Sequence, residues 1–172
     1  AMINLDGERF VDEGEDFNLY TYAKMGRDIL QQRSATIFQV FDQKTVPLLE
    51  TRYNTGTPVV ANTLAALADG IEERYGSLGF RKANFLSTLE AYNAAVQEGT
   101  FNPDILDGKH TVGLRPEKTN WATRIDEAPF CAYAVSLGIT FTFGGIRINT
   151  DAAVIDHLDR PIPGLFATGE MT

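Results

Sequence analysis

The sequence is poor in the residues that build most reactive centres. It has one cysteine, Cys131, and two histidines, His110 and His157, in 172 residues. A single cysteine excludes an intrachain disulfide and any cysteine-built zinc site. Cys131 sits in an apolar run, which predicts a buried, inert thiol rather than a nucleophile. The histidines are far apart and have no ligand-like spacing, so no Ser-His-Asp or Cys-His set assembles. Positive charge is scarce too: 15 Lys and Arg stand against 23 Asp and Glu, a formal net charge of −8. Binding DNA or RNA needs clustered Lys and Arg, which argues against nucleic acid as a partner. No apolar run approaches the roughly 18 residues of a membrane span, and no signal peptide is visible. Neither a Gly-x-Gly-x-x-Gly fingerprint nor a P-loop is present.

What is present fits an α+β domain: a hydrophobic fraction of 44% is ordinary for a globular core. Met2-Ile3-Asn4, Asp6-Gly7 and Glu8 to Val11 predict a hairpin with a type I′ turn. Asp12, Glu13, Glu15 and Asp16 follow around Gly14. They lack EF-hand spacing, so a solvated loop or helix start is expected rather than a metal site. Periodicity then predicts a helix over 18–32, with Leu19, Tyr22, Ala23, Gly26 and Ile29-Leu30 on its apolar face. On this reading Tyr22 packs and Tyr20 faces solvent. A buried strand is expected over 35–42 and a helical turn over 45–50. A helix capped by Asn62 runs from Thr63 to about Tyr75 and ends at Gly76. A third spans about 82–97, with Tyr92-Asn93 as a structural hydrogen-bonding pair. Residues 100–127 read as a long surface loop anchored by Trp121. Pro129 to Leu137 is the next strand.

The stretch from Gly138 to Thr150 reads as a strand bent at Gly144-Gly145, where missing side chains let backbone bend or a flat ligand approach. Asp151 to Ile155 and Pro161 to Gly164 predict a ribbon. It leads to a short strand that delivers Gly169 and Glu170. An ending on a strand that leads into a site points to a piece of a longer chain.

Three blocks carry a resemblance to a known family. They are Asn4 to Glu13 with the run Gly14 to Lys24, the helices around Ala61 to Ala68 and Leu89 to Asn93, and Gly138 to Thr150 with Arg160 to Glu170. Together they resemble the FAD-dependent fumarate reductase and succinate dehydrogenase flavoproteins, within them the tricarballylate dehydrogenase-like branch. The resemblance implies a capping-domain fragment. Residues 1–140 would be most of the substrate cap, a small mixed or antiparallel sheet packed with about three helices. Residues 141–172 would be returning strands of the FAD domain.

The parent is then an FAD-dependent dehydrogenase or reductase acting on CH–CH groups of a carboxylic acid such as tricarballylate. The resemblance places Gly144, Gly145, Gly169 and Glu170 at the cofactor, and Phe141 and Thr142 beside the substrate. Tyr20 and Tyr22 are candidate hydroxyl donors to it. No catalytic residue and no metal ligand is assigned. The expected partners are the Rossmann-type remainder of the chain and a small carboxylic acid. A dimer through the cut face and a cytoplasmic location, with membrane association through a redox partner, complete the expectation. The isolated piece is expected to be inactive and to retain no FAD.

The chain departs from the pattern at two places. The family's proton-relay arginine has no counterpart between Asp16 and Tyr22, and a histidine pair is replaced by Thr140 and Phe141. Both departures disfavour succinate or fumarate as substrate and leave a larger tricarboxylate or a less charged substrate as the alternatives. The alternative reading is an independent small-molecule-binding module without redox chemistry.

Overall fold

The computed structural model describes residues 1–51, 55–139 and 144–172. They form two compact units, Ala1–Leu137 and Gly138–Thr172. The fold is α+β, with three helices and small antiparallel sheets. In the first unit, strands β1 (Met2–Asn4), β2 (Ile37–Phe41), β3 (Val59–Ala61) and β4 (Phe130–Val135) form one sheet in the order β1-β2-β4-β3. Every pairing is antiparallel. The helices are α1 (Asn18–Leu30), α2 (Leu64–Tyr75) and α3 (Lys82–Ala95).

β2 lies inside the sheet with Ile37, Phe38 and Val40 all buried. Strand neighbours on both sides, and packing on both faces, explain its nearly unbroken apolar run. Leu67 and Ile71 of α2 and Phe85 and Leu89 of α3 are buried in the same core. Phe38, Phe80 and Phe85 form an edge-to-face chain with centroids 5.4 Å apart at each step. Each such fully buried side chain contributes roughly 1.5–3 kcal/mol of transfer free energy.

Several local expectations are corrected. The first turn is not type I′. Gly7 N donates to Asn4 O at 3.0 Å, and of the turn residues only Gly7 has positive φ, at 77°. That is a type I turn closed by a left-handed glycine, the three-residue hairpin loop. A Cβ on Gly7 would collide with the backbone of Phe85 and Arg81. In α1 the buried residues are Thr21, Met25 and Ile29, whereas Leu19 and Leu30 are exposed. The stripe is rotated because Thr21 is buried while its hydroxyl donates back to Phe17 O.

The cap of α2 is Thr63, whose hydroxyl accepts from Ala66 N at 3.1 Å, rather than Asn62. Gly76 stays helical, and the left-handed residue is Gly79, after one further 3₁₀ turn. Residues 100–127 are irregular but no surface excursion. Thr111, Ala122 and Ile125 are buried, and Trp121 Nε1 donates to Asn102 O and Ile105 O. Asn93 holds the loop from α3: its Nδ2 donates to Ile125 O and its Oδ1 accepts from Ile125 N. Cys131 is buried, and burial pushes its thiol pKa up.

The second unit is built on a hairpin of β5 (Ala153–Ile155) and β6 (Pro161–Phe166), as expected for a ribbon. Asp156 makes its turn, its Oδ1 accepting from Leu158 N and Arg160 N. The strand expected through Thr140–Phe143 lies outside the described residues. Among the described residues no helix is long and apolar enough to cross a membrane, and no group of His, Cys, Asp and Glu is arranged to hold a metal.

Candidate functional site

The first unit contains a cleft of about 390 Å³. Its charged floor is built from the two ends of the unit's sequence. The hairpin after β1 carries Arg9 into the interior, and four residues later the chain returns Glu13 to it. Arg9 Nη2 donates to Glu13 Oε2 at 2.5 Å, and Nη1 donates to Pro116 O at 2.6 Å. The guanidinium lies 5.3 Å from the centroid of the Tyr92 ring, a cation–π contact in a dry setting. Its Nε is buried without a partner among the described residues. The expected solvated acidic loop is therefore corrected at Glu13, whose side chain is only 9% exposed.

Glu13 Oε1 also accepts from Met2 N at 3.0 Å. Burial by itself would raise this carboxyl, but Lys118, the chain's amino group and Arg9 outweigh it. They hold the carboxyl at about 2. Tyr92 is buried beside the cluster, and that burial pushes its phenol far above the usual range. Lys118 completes the floor. Its backbone is clamped to Thr111 in both directions: Lys118 N donates to Thr111 Oγ1 and Thr111 N donates to Lys118 O. Burial pulls the Lys118 amine down from its ordinary value.

The cleft walls are apolar and aromatic, including Phe17, Phe41, Phe101 and Trp121. Phe17 and Trp121 pack with centroids 5.3 Å apart and planes at 52°. In the segment where the resemblance places a relay arginine, the cleft therefore receives an aromatic ring and Asn18, and no guanidinium. Arg27 is exposed and does not line the cleft.

The sequence-selected residues fall differently. Tyr20 and Tyr22 are 77% and 40% exposed, which corrects the expectation that Tyr22 packs. They flank Thr21, which lines the cleft as they do not. Adjacent helical positions are about 100° apart, so the buried residue and its neighbours face different ways. Glu13, Thr21 and Lys118 were missed as site residues. The opposite charges of Arg9 and Glu13 around apolar Phe10 and Val11 are a sequence signal that reads as a buried pair. Lys118 has no local signal.

In the second unit Gly144 and Gly145 are brought to the segment of Gly169 and Glu170. Ile146 N donates to Met171 O at 2.8 Å, and a Cβ on Gly145 would lie 2.5 Å from Met171 O. Gly144 and Gly169 have φ of +88° and +81°, and no described atom lies within 4 Å of where a Cβ would stand. Glu170 follows in a short 3₁₀ turn, Gly169–Met171. Open, left-handed glycines with adjacent amide groups fit close approach by a flat or anionic group, so these residues are compatible with part of a flavin site. Phe141 and Thr142 lie outside the described residues.

The family model described as "FAD binding domain" matches residues 1–172. A probable fumarate reductase of Shewanella frigidimarina is 31% identical over 175 residues, covering 100% of this chain and 26% of that protein. A urocanate reductase of Eggerthella lenta is 29% identical over 180 residues, covering 98% of this chain and 25% of its own length. The chain thus spans about a quarter of these curated relatives. Among solved structures, the open conformation of a flavocytochrome c3 fumarate reductase aligns with a TM-score of 0.68 and 25% identity, over 99% of this chain and 27% of that one. A 3-ketosteroid delta1-dehydrogenase from Sterolibacterium denitrificans shares the fold with a TM-score of 0.60 at 22% identity, over 96% of this chain and 31% of that one. FAD is the cofactor that this match implies for the parent protein. By the match along its whole length, the chain belongs to the FAD binding domain family of flavoprotein oxidoreductases.

Proposed function

We propose that this chain is the substrate-capping part of an FAD-dependent oxidoreductase that acts on a CH–CH bond of a carboxylic acid. In this reading residues 1–140 form the cap and 141–172 are returning strands of the flavin domain. The observation that carries it is the whole-length family match together with the relatives' names. Fumarate, urocanate and acrylate are all carboxylates with a carbon–carbon double bond next to the acid. A flavin supplies hydride transfer to or from such a carbon.

This chain's residues supply the surroundings. Gly144, Gly145 and Gly169 offer backbone to the cofactor, and Glu170 offers a carboxylate acceptor to its sugar chain. Phe141, Thr142, Tyr20 and Tyr22 border the substrate. The two tyrosines are exposed on α1, and a donor that meets substrate from a cap has to be unpaired beforehand. The lack of an arginine between Asp16 and Tyr22 favours a substrate other than fumarate, and tricarballylate is the specific candidate. The partners are the Rossmann-type remainder of the chain and the acid itself. A dimer through the face that meets the flavin domain and a cytoplasmic location, with membrane association through a redox partner, belong to the same reading.

The test is the intact mass and visible spectrum of the protein expressed from the complete gene, followed by turnover of tricarballylate with an artificial electron acceptor. Bound flavin and tricarballylate oxidation are expected from the longer protein. The 172-residue chain of 19.0 kDa is expected to be colourless and inactive. Stoichiometric flavin on the 172-residue chain would overturn the capping reading. Turnover of fumarate but not tricarballylate would overturn the substrate.

A further inference from the structure

The cleft holds an amine with no hydrogen-bond partner among the described residues. Lys118 is 9% exposed, lines the cleft, and its Nζ makes no hydrogen bond or ion pair with any described residue. Its surroundings cannot easily supply one. Glu13, the strongest attraction on it, already serves Arg9 Nη2 and Met2 N. Asp12 accepts from Gly14 N, Thr119 N and Thr119 Oγ1. Asp107 accepts from Lys109 N, Trp121 N and Asn102 N. Arg9 and Lys118 therefore share one buried carboxylate, and the largely buried Lys118 amine is left without an acceptor among the described residues. The same cleft is lined by Phe101, Trp121, Phe41 and Leu48. A volume of about 390 Å³ falls in the range of small-molecule sites, which are apolar with a few convergent polar groups.

We propose that this cleft binds a small monocarboxylate with an apolar body, its carboxylate on Lys118 Nζ and its body against Trp121 and Phe101. The lysine donates hydrogen bonds to the carboxylate, which supplies the missing second counter-charge. The aromatic walls exclude a second or third carboxylate from the body. This ligand is distinct from the tricarboxylate of the redox reading, and every named residue belongs to the unit Ala1–Leu137, so the proposal stands whether or not that reading does.

Trp121 is the single tryptophan of the chain, so its emission reports on the cleft directly. The probes are cyclohexanecarboxylate and its neutral isostere cyclohexanecarboxamide, titrated into the 172-residue chain. The acid is expected to change Trp121 emission saturably and to bind at least about tenfold more tightly than the amide, the weight of a charge-assisted hydrogen bond. Lys118→Met keeps the stem and removes the charge; it is expected to abolish that preference and leave the amide's affinity unchanged. Equal affinity for acid and amide would overturn the proposal. So would undiminished acid binding by Lys118→Met, or no saturable response at millimolar acid. Were Lys118→Met to fail to fold, the comparison of acid and amide on the unaltered chain decides by itself.

Discussion

Replacing Glu13 by glutamine perturbs the ion cluster with little change of shape. It leaves Arg9, whose side chain is 4% exposed, and Lys118 buried with no anion between them. Removing one partner of a buried pair costs about 3–5 kcal/mol, because the surviving charge stays out of water. The acidity of Glu13 supplies a second figure. Burial pushes the carboxyl up, and Lys118, the amino group and Arg9 together bring it from 4.5 to about 2. At about 1.36 kcal/mol per pH unit, that gap corresponds to about 3 kcal/mol of folding stability. The folded value is the lower one, so this stability is fully present above about pH 4.5 and is lost as pH falls towards 2.

Glutamine stands in for the protonated acid. At pH 7 Glu13→Gln is therefore expected to be less stable than the unaltered chain by about 3 kcal/mol, and at pH 3 by only about 1.5 kcal/mol. Urea unfolding followed by Trp121 emission at both pH values measures this, and the other carboxyls cancel in the difference. A gap below about 1 kcal/mol at pH 7, or a gap that does not change with pH, would refute the account of the cluster as a dry, coupled pair.

Three further outcomes follow from named contacts. Thr63→Ala removes the hydroxyl that caps α2 and is expected to cost about 1 kcal/mol, read from urea unfolding monitored by circular dichroism. Gly7→Ala meets both a φ of 77° and the backbone of Phe85 and Arg81. A loss clearly above about 1 kcal/mol is expected, and a thermal midpoint unchanged from the parent would contradict the turn geometry. Asn93→Ala strands the N–H and C=O of Ile125 in a buried setting, for about 2–4 kcal/mol. Hydrogen exchange at Ile125 should accelerate more than at the centre of β2.

The three helices and the interior strands were legible because their signals are local. Lys82–Ala95 carries Phe85, Leu89 and Tyr92 at helical spacing, and the apolar run Ile37–Phe41 sits in the sheet interior. The rotation of α1 was not legible. Its sequence offers two competing stripes, and packing chose the one through Thr21, Met25 and Ile29. The loop after α3 was misread for a related reason. Polar, glycine- and proline-rich sequence is also what a buried irregular segment needs when its backbone groups are met by side chains such as Asn93 and Asp107.

By itself the sequence determined the α+β class, the helices, the buried thiol and the family, because periodicity and motif blocks are read from neighbouring residues. Tertiary structure alone decided that an acidic loop gives up Glu13 to Arg9, and that Tyr22 faces outward as Tyr20 does. It also placed Lys118 beneath an aromatic cleft. The reason is distance along the chain. Arg9 reaches Pro116 across 107 residues, and no local pattern encodes which buried charge a threaded loop will meet.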